Sequence, residues 1–68
     1  MSNHQKKSLL RRPEVEQRTG LKRSTIYLRM SQGTFPKPVS LGRAVAWVEG
    51  EIEEWINERI ESRQIKAA

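Results

Sequence analysis

A chain of 68 residues has room for one domain and one small core, so a buried catalytic cleft would compete for the few apolar residues that must hold the fold together. It contains no cysteine, which excludes a disulfide framework and a thiolate metal site. Net charge is +5, from 13 Lys and Arg against 8 acidic residues. The longest apolar run, Ala44 to Val48, is far too short to span a bilayer. Met1 to Ser8 is basic but has no apolar segment of signal-peptide length behind it, so a cytoplasmic protein is expected.

The charge is unevenly placed. Residues 1–46 carry Lys6, Lys7, Arg11, Arg12, Arg18, Lys22, Arg23, Arg29, Lys37 and Arg43 against only Glu14 and Glu16, a net +8. Residues 47–68 carry Arg59, Arg63 and Lys66 against six glutamates, a net −3. A basic front and an acidic back give a protein one side to present to a polyanion, although charge kept for solubility explains the same count.

In chain order, residues 1–8 are polar, basic and without period, and are expected to form a disordered arm. Leu9 and Leu10 anchor the chain. Pro13 suits a first helical turn, where a missing N–H costs nothing, and a short helix is expected from about Pro13 to Arg18 with Val15 inward. Thr19-Gly20 ends it, because glycine accepts the left-handed conformation of a helix C-terminus. A second helix is expected from about Arg23 to Gln32, stopped by Gly33. Two short helices joined by a tight Gly-containing turn make a helix-turn-helix.

Pro36 and Pro38 forbid a regular helix in the next stretch. Val39-Ser40-Leu41 and Ala44-Val45-Ala46-Trp47 flank Gly42-Arg43, the pattern of a β-hairpin with a two-residue turn. The last segment places Val48, Ile52, Trp55, Ile56 and Ile60 on one helical stripe, with glutamates early and basic residues late, as the helix dipole favours. Fraying is expected after Glu61. The expected domain is therefore residues 9–62, followed by a frayed tail at 63–68. The fold class is mainly α with a small β-hairpin, a winged helix-turn-helix.

Within the second helix, Ile26 and Met30 lie about 40° apart and form the inward stripe. Ser24, Leu28 and Ser31 then point outward, with Tyr27 on the flank and Lys22 and Arg23 at the N-terminal end, which enters the major groove in this motif. Arg can bond guanine bidentately, and the Ser24, Thr25 and Tyr27 hydroxyls can bond phosphates or base edges. Tyr27 suits equally a half-buried ring packed on the hairpin. Leu28 could meet a thymine methyl or a partner chain, or be an ordinary surface residue. Lys37, Arg43 at the wing tip, and Arg11 and Arg12 at the entrance to the first helix are candidate phosphate ligands, or else solvated charges. The candidate DNA-binding set is thus Arg11, Arg12, Lys22, Arg23, Ser24, Thr25, Tyr27, Leu28, Lys37 and Arg43.

Five segments resemble the AlpA family of prophage regulators, in order across residues 9–60: Leu9-Leu10-Arg11-Arg12-Pro13-Glu14-Val15, the stretch from Thr19-Gly20-Leu21 to Ile26-Tyr27, Gly33-x-Phe35-Pro36, Val45-x-Trp47, and Glu51-Ile52-x-x-Trp55-Ile56. That family is similar to phage excisionases and to the DNA-binding domain of MerR-type regulators. The resemblance implies a bacterial transcription factor of a prophage or integrated island, acting on integrase or neighbouring phage genes. Two positions depart from the family pattern. Leu28-Arg29-Met30 replaces an Arg followed by an apolar pair, and Lys22 stands where relatives often place a Ser cap, leaving Ser24 as a later helix start.

Three functions fit these residues: a sequence-specific regulator, an excisionase-like architectural factor working with an integrase, and a protein-interaction module or antirepressor using the acidic last helix. Double-stranded DNA is the expected partner, with further copies of the chain on adjacent sites and no membrane. An enzyme is not expected. His4, the only histidine, lies in the arm, and Glu53 and Glu54 are helix neighbours that diverge by about 100°. No cofactor or metal is expected, since no Gly-rich phosphate loop or metal-ligand spacing is present.

Overall fold

The computed structural model describes the backbone of residues 7–66 and the side chains as far as Arg63. The expected arm therefore falls mostly outside the described residues. The chain runs β1 (Leu9–Arg11), α1 (Arg12–Thr19), α2 (Arg23–Ser31), β2 (Val39–Leu41), β3 (Ala44–Val48) and α3 (Glu49–Lys66). Three helices pack on a small antiparallel sheet of order β1-β3-β2.

The hairpin forms where the spacing expects it. Val39 pairs with Ala46, Ser40 with Val45 and Leu41 with Ala44, and Gly42 supplies the positive φ of +80° in the turn. The sheet has a third strand. Leu9–Arg11 is more than an anchor: it pairs with the far edge of β3, Leu10 opposite Trp47 and Arg11 opposite Ala46. Three residues are too few to display a period of two, and the partner lies a whole helix-turn-helix away in sequence. Within that strand only Leu10 is buried, on the same face as Trp47.

α1 begins at Arg12, with Pro13 in its first turn, and ends at Gly20, whose φ is +74° and whose N–H bonds to the Glu16 carbonyl at 2.8 Å. Thr19 stitches the turn. Its hydroxyl donates to the Val15 carbonyl at 2.8 Å and accepts from the Leu21 N–H at 3.2 Å. α2 starts at Arg23 behind Lys22, whose side chain makes no capping bond, so the departure from a Ser cap leaves this helix end without side-chain satisfaction. Beyond α2, the Thr34 N–H and hydroxyl both bond the Arg29 carbonyl, at 2.9 and 3.2 Å, closing the last turn.

α3 corrects the sequence expectation at its start. Val48 is the last residue of β3 rather than the first of the helical stripe, and the helix continues beyond Glu61 to Lys66. Its first N–H, from Glu49, is taken by the Ser8 carbonyl at 2.7 Å. Ile52 is fully buried and Trp55 and Ile56 pack beside it, but Ile60 is 44% exposed. The periodicity is real, yet the helix outruns a core too small to cover its later turns.

Every element but β2 contributes to that core: Leu10 from β1, Val15 from α1, Ile26 from α2, Trp47 from β3 and Ile52 from α3, with Phe35 from the loop. Phe35 stands edge-on to both tryptophans, 6.4 Å from the Trp47 ring centre and 4.9 Å from that of Trp55. Each indole N–H meets a loop carbonyl, Trp47 with Pro36 at 3.0 Å and Trp55 with Thr34 at 2.8 Å. Buried indoles need such partners. They also fix the non-repetitive stretch between α2 and β2. α1 and α2 with their three-residue turn, followed by the β2–β3 hairpin, constitute a winged helix-turn-helix.

Candidate nucleic-acid interface

Placing Ile26 at the core sets the orientation of α2. Ile26 is fully buried and Met30 packs against the core, so the opposite face opens to solvent. Arg23, Ser24, Leu28 and Ser31 are exposed, as helical geometry requires, and Thr25 is half-buried. Leu28, at 56%, is the most exposed large apolar side chain described. Lys22 is exposed at the N-terminal end of this face. The Arg23 guanidinium lies 5.9 Å from the centre of the Tyr27 ring, one turn further along, within range of a cation–π contact.

Tyr27 is 38% exposed, on the flank of α2. Beside Ala44 and Val45 of the hairpin it lines a groove of about 450 Å³, whose other walls are Arg11, Arg12, Pro13 and Arg43. Four of the expected site residues, distant in sequence, therefore converge on one concavity. Arg11 reaches it from the end of β1, Arg12 from the first turn of α1, and Arg43 from the hairpin turn. Arg12 is held by Glu16, whose Oε2 accepts from Nε at 3.0 Å. Among the described residues no carboxylate lines the groove. Lys37 is exposed in the α2–β2 loop but does not line it.

Two cations of the basic front serve the protein itself. The Arg18 Nη1 bonds Glu49 Oε2 at 2.7 Å and lies 3.5 Å from Glu53, tying the end of α1 to the start of α3. The Glu49 hydrogen bond raises the Arg18 pKa above its ordinary value, outweighing the opposing effect of desolvation. Arg29 is half-buried and stacks over Trp55 at 5.9 Å, and its Nε is buried without a hydrogen-bond partner among the described residues. A helical wheel contains the signal for this second role, because Arg29 lies only about 60° from Ile26.

A separate concavity of about 540 Å³ lies between α3 and the loop after α2. Glu51, Glu54 and Glu58 give it an acidic character, above Phe35 and Trp55, and Arg59 sits 5.4 Å from the Trp55 ring centre. It shares no lining residue with the basic groove, so the charge division seen along the chain is also a division of surfaces. Among the described residues there is no cluster of potential metal ligands, and no helix is long and apolar enough to cross a membrane.

The family model described as "Prophage CP4-57 regulatory protein (AlpA)" matches residues 8–60. The chain is 41% identical over 66 residues to the DNA-binding transcriptional activator AlpA of Escherichia coli K12, an alignment covering 87% of this chain and 94% of that protein. It is 48% identical over 56 residues to an uncharacterized protein, ORF88, of Enterobacteria phage P4, covering 81% of this chain and 64% of the phage protein. The matched stretch begins at β1 and ends within α3, so it spans the sheet, both helices of the helix-turn-helix and the core. The chain belongs to the AlpA family of prophage regulatory proteins.

Proposed function

We propose that this protein is a sequence-specific DNA-binding transcriptional regulator that lays the exposed face of α2 in the major groove. The observation that carries the reading is the continuity of that face with the arginine-lined groove. Arg23 and Ser24 would read base edges, and Arg11, Arg12 and Arg43, joined to that face through Tyr27, would take the backbone. Ser24, Thr25 and Tyr27 supply hydroxyls, Leu28 an apolar contact suited to a thymine methyl, and Lys22 and Lys37 further charge toward phosphates. The name of the Escherichia coli relative, a DNA-binding transcriptional activator, supports the same reading. No feature of the chain calls for catalysis, and it would act in the bacterial cytoplasm, on the nucleoid.

A single module of this kind buries about 600–1,000 Å² on DNA, so control of a specific promoter calls for more than one copy on adjacent sites. The genes it regulates would be an integrase gene or its phage neighbours. An excisionase-like role uses the same face and differs in its partner, the integrase itself. The test combines two assays of the purified chain: transcription from a promoter that it footprints, and integrase-driven excision. Altered transcription with no effect on excision is expected. Stimulated excision with unchanged transcription would replace the regulator by the architectural factor.

A further inference from the structure

We propose that the groove between β1, α1, Tyr27 and the hairpin turn seats one phosphodiester of the DNA backbone, and that Tyr27 links this seat to base reading by Arg23. The inference rests on the DNA-binding reading above and assigns one class of ligand to one place within it.

The argument begins with the cost of the arrangement. Arg11, Arg12 and Arg43 come from three positions in the fold and line the same concavity of about 450 Å³. Guanidinium groups repel one another, and only Arg12 has an ion-pair partner among the described residues, Glu16. An anion entering the groove would find it lined by three arginines and, among the described residues, by no carboxylate. Planar guanidinium forks suit phosphate oxygens in particular, because they bond them in pairs. The first turn of α1 could contribute only weakly, since Pro13 lacks an N–H, so the arginines carry the site.

Tyr27 extends the seat toward the bases. It lines the groove on one side and lies under the Arg23 guanidinium, 5.9 Å from its ring centre. We assign its hydroxyl to the phosphate and its ring to the positioning of Arg23. Anchoring one phosphate beside the first turn of α2 would set the depth and register at which Arg23 meets a base pair. The two roles of Tyr27 separate chemically. Phenylalanine keeps the ring and loses the hydroxyl, whereas alanine loses both.

The test uses the full chain in two arms. In the first, the labelled protein is titrated with inorganic phosphate at constant ionic strength and followed by NMR. Saturable shifts are expected at the Arg11, Arg12 and Arg43 side-chain N–H groups and at Tyr27, and not at Lys37. Absence of those shifts overturns the seat, whatever the protein does with DNA. In the second arm, a duplex selected from random sequence by the wild-type chain carries a single neutral methylphosphonate, moved along each strand. One linkage per bound copy should cost wild type about tenfold in affinity, the scale of a lost charge-assisted hydrogen bond. The same linkage should cost Arg43→Gln and Tyr27→Phe less than it costs wild type, because one of its contacts is already gone while the others remain. Tyr27→Phe should keep the wild-type base preference, and Tyr27→Ala should relax it at the pair read by Arg23. A linkage that penalises all variants equally would overturn the assignment. Phosphate shifts without any sensitive linkage would make the groove a site for free anions, overturning the backbone seat. Failure to bind any duplex would instead overturn the DNA-binding reading itself.

Discussion

Trp47→Ala is expected to leave the chain unfolded at 25 °C. Trp47 is fully buried on the central strand, faces Leu10 across the β1–β3 pairing, and stands edge-on to Phe35. Truncating a buried tryptophan costs about 3–5 kcal/mol. The Pro36 carbonyl would also lose the indole N–H that it accepts at 3.0 Å. A domain of this size draws only about 3–5 kcal/mol from its core, so the loss matches the whole reserve. The sheet has no redundancy to offset it, since β1 and β2 pair only with β3. Far-UV circular dichroism should show little helix and no cooperative urea transition. Trp47→Phe keeps most of the buried surface and should stay folded at reduced stability. A Trp47→Ala protein with a wild-type urea midpoint would contradict the core described here.

Arg23→Ala should have the largest effect on recognition while leaving folding unchanged. Arg23 is exposed in the first turn of α2 and is not among the buried core residues. A bidentate arginine–guanine pair is worth about 1–3 kcal/mol of discrimination at its base pair. Affinity should therefore fall on the selected site, and preference should vanish at one position while persisting at the others. Arg43→Ala is the matched comparison. It should weaken selected and random duplexes alike and lower the salt dependence, because phosphate carries no sequence information. Binding-site selection with each variant reads the difference directly. Uniform weakening by Arg23→Ala would make that residue a backbone ligand and transfer base reading to Ser24, Tyr27 or Leu28.

Much of the fold was legible because its signals are local. Gly20 and Gly33 end α1 and α2 as their types suggest, and both have positive φ. Gly42-Arg43 between two apolar runs marks the hairpin without outside information. What could not be read was long-range. β1 is a strand because β3 offers it an edge, and nothing within Leu9-Leu10-Arg11 states that. The end of the apolar stripe at Ile60 depends on how far the core extends, a property of the assembled domain. The candidate site divides in the same way. The outward face of α2 follows from Ile26 and helical geometry, and both identify Arg23, Ser24 and Leu28 in advance. The meeting of Arg11, Arg12 and Arg43 at Tyr27 required β1 to be in the sheet. The sequence count also overstated the basic surface, because a count cannot distinguish Arg18 on Glu49 or Arg29 on Trp55 from a charge facing solvent.

The central claim is that the basic face of this domain binds a DNA duplex mainly through phosphates. It is tested most directly by the dissociation constant of the wild-type chain on its selected duplex, measured across a range of monovalent salt. With one phosphate in the groove of Arg11, Arg12 and Arg43 and one each at Lys22 and Lys37, about three phosphates would be neutralised, so the logarithm of affinity should fall with the logarithm of salt at a slope near −3. A flat plot, or no binding at about 50 mM salt, where counterion release is most favourable, would contradict it.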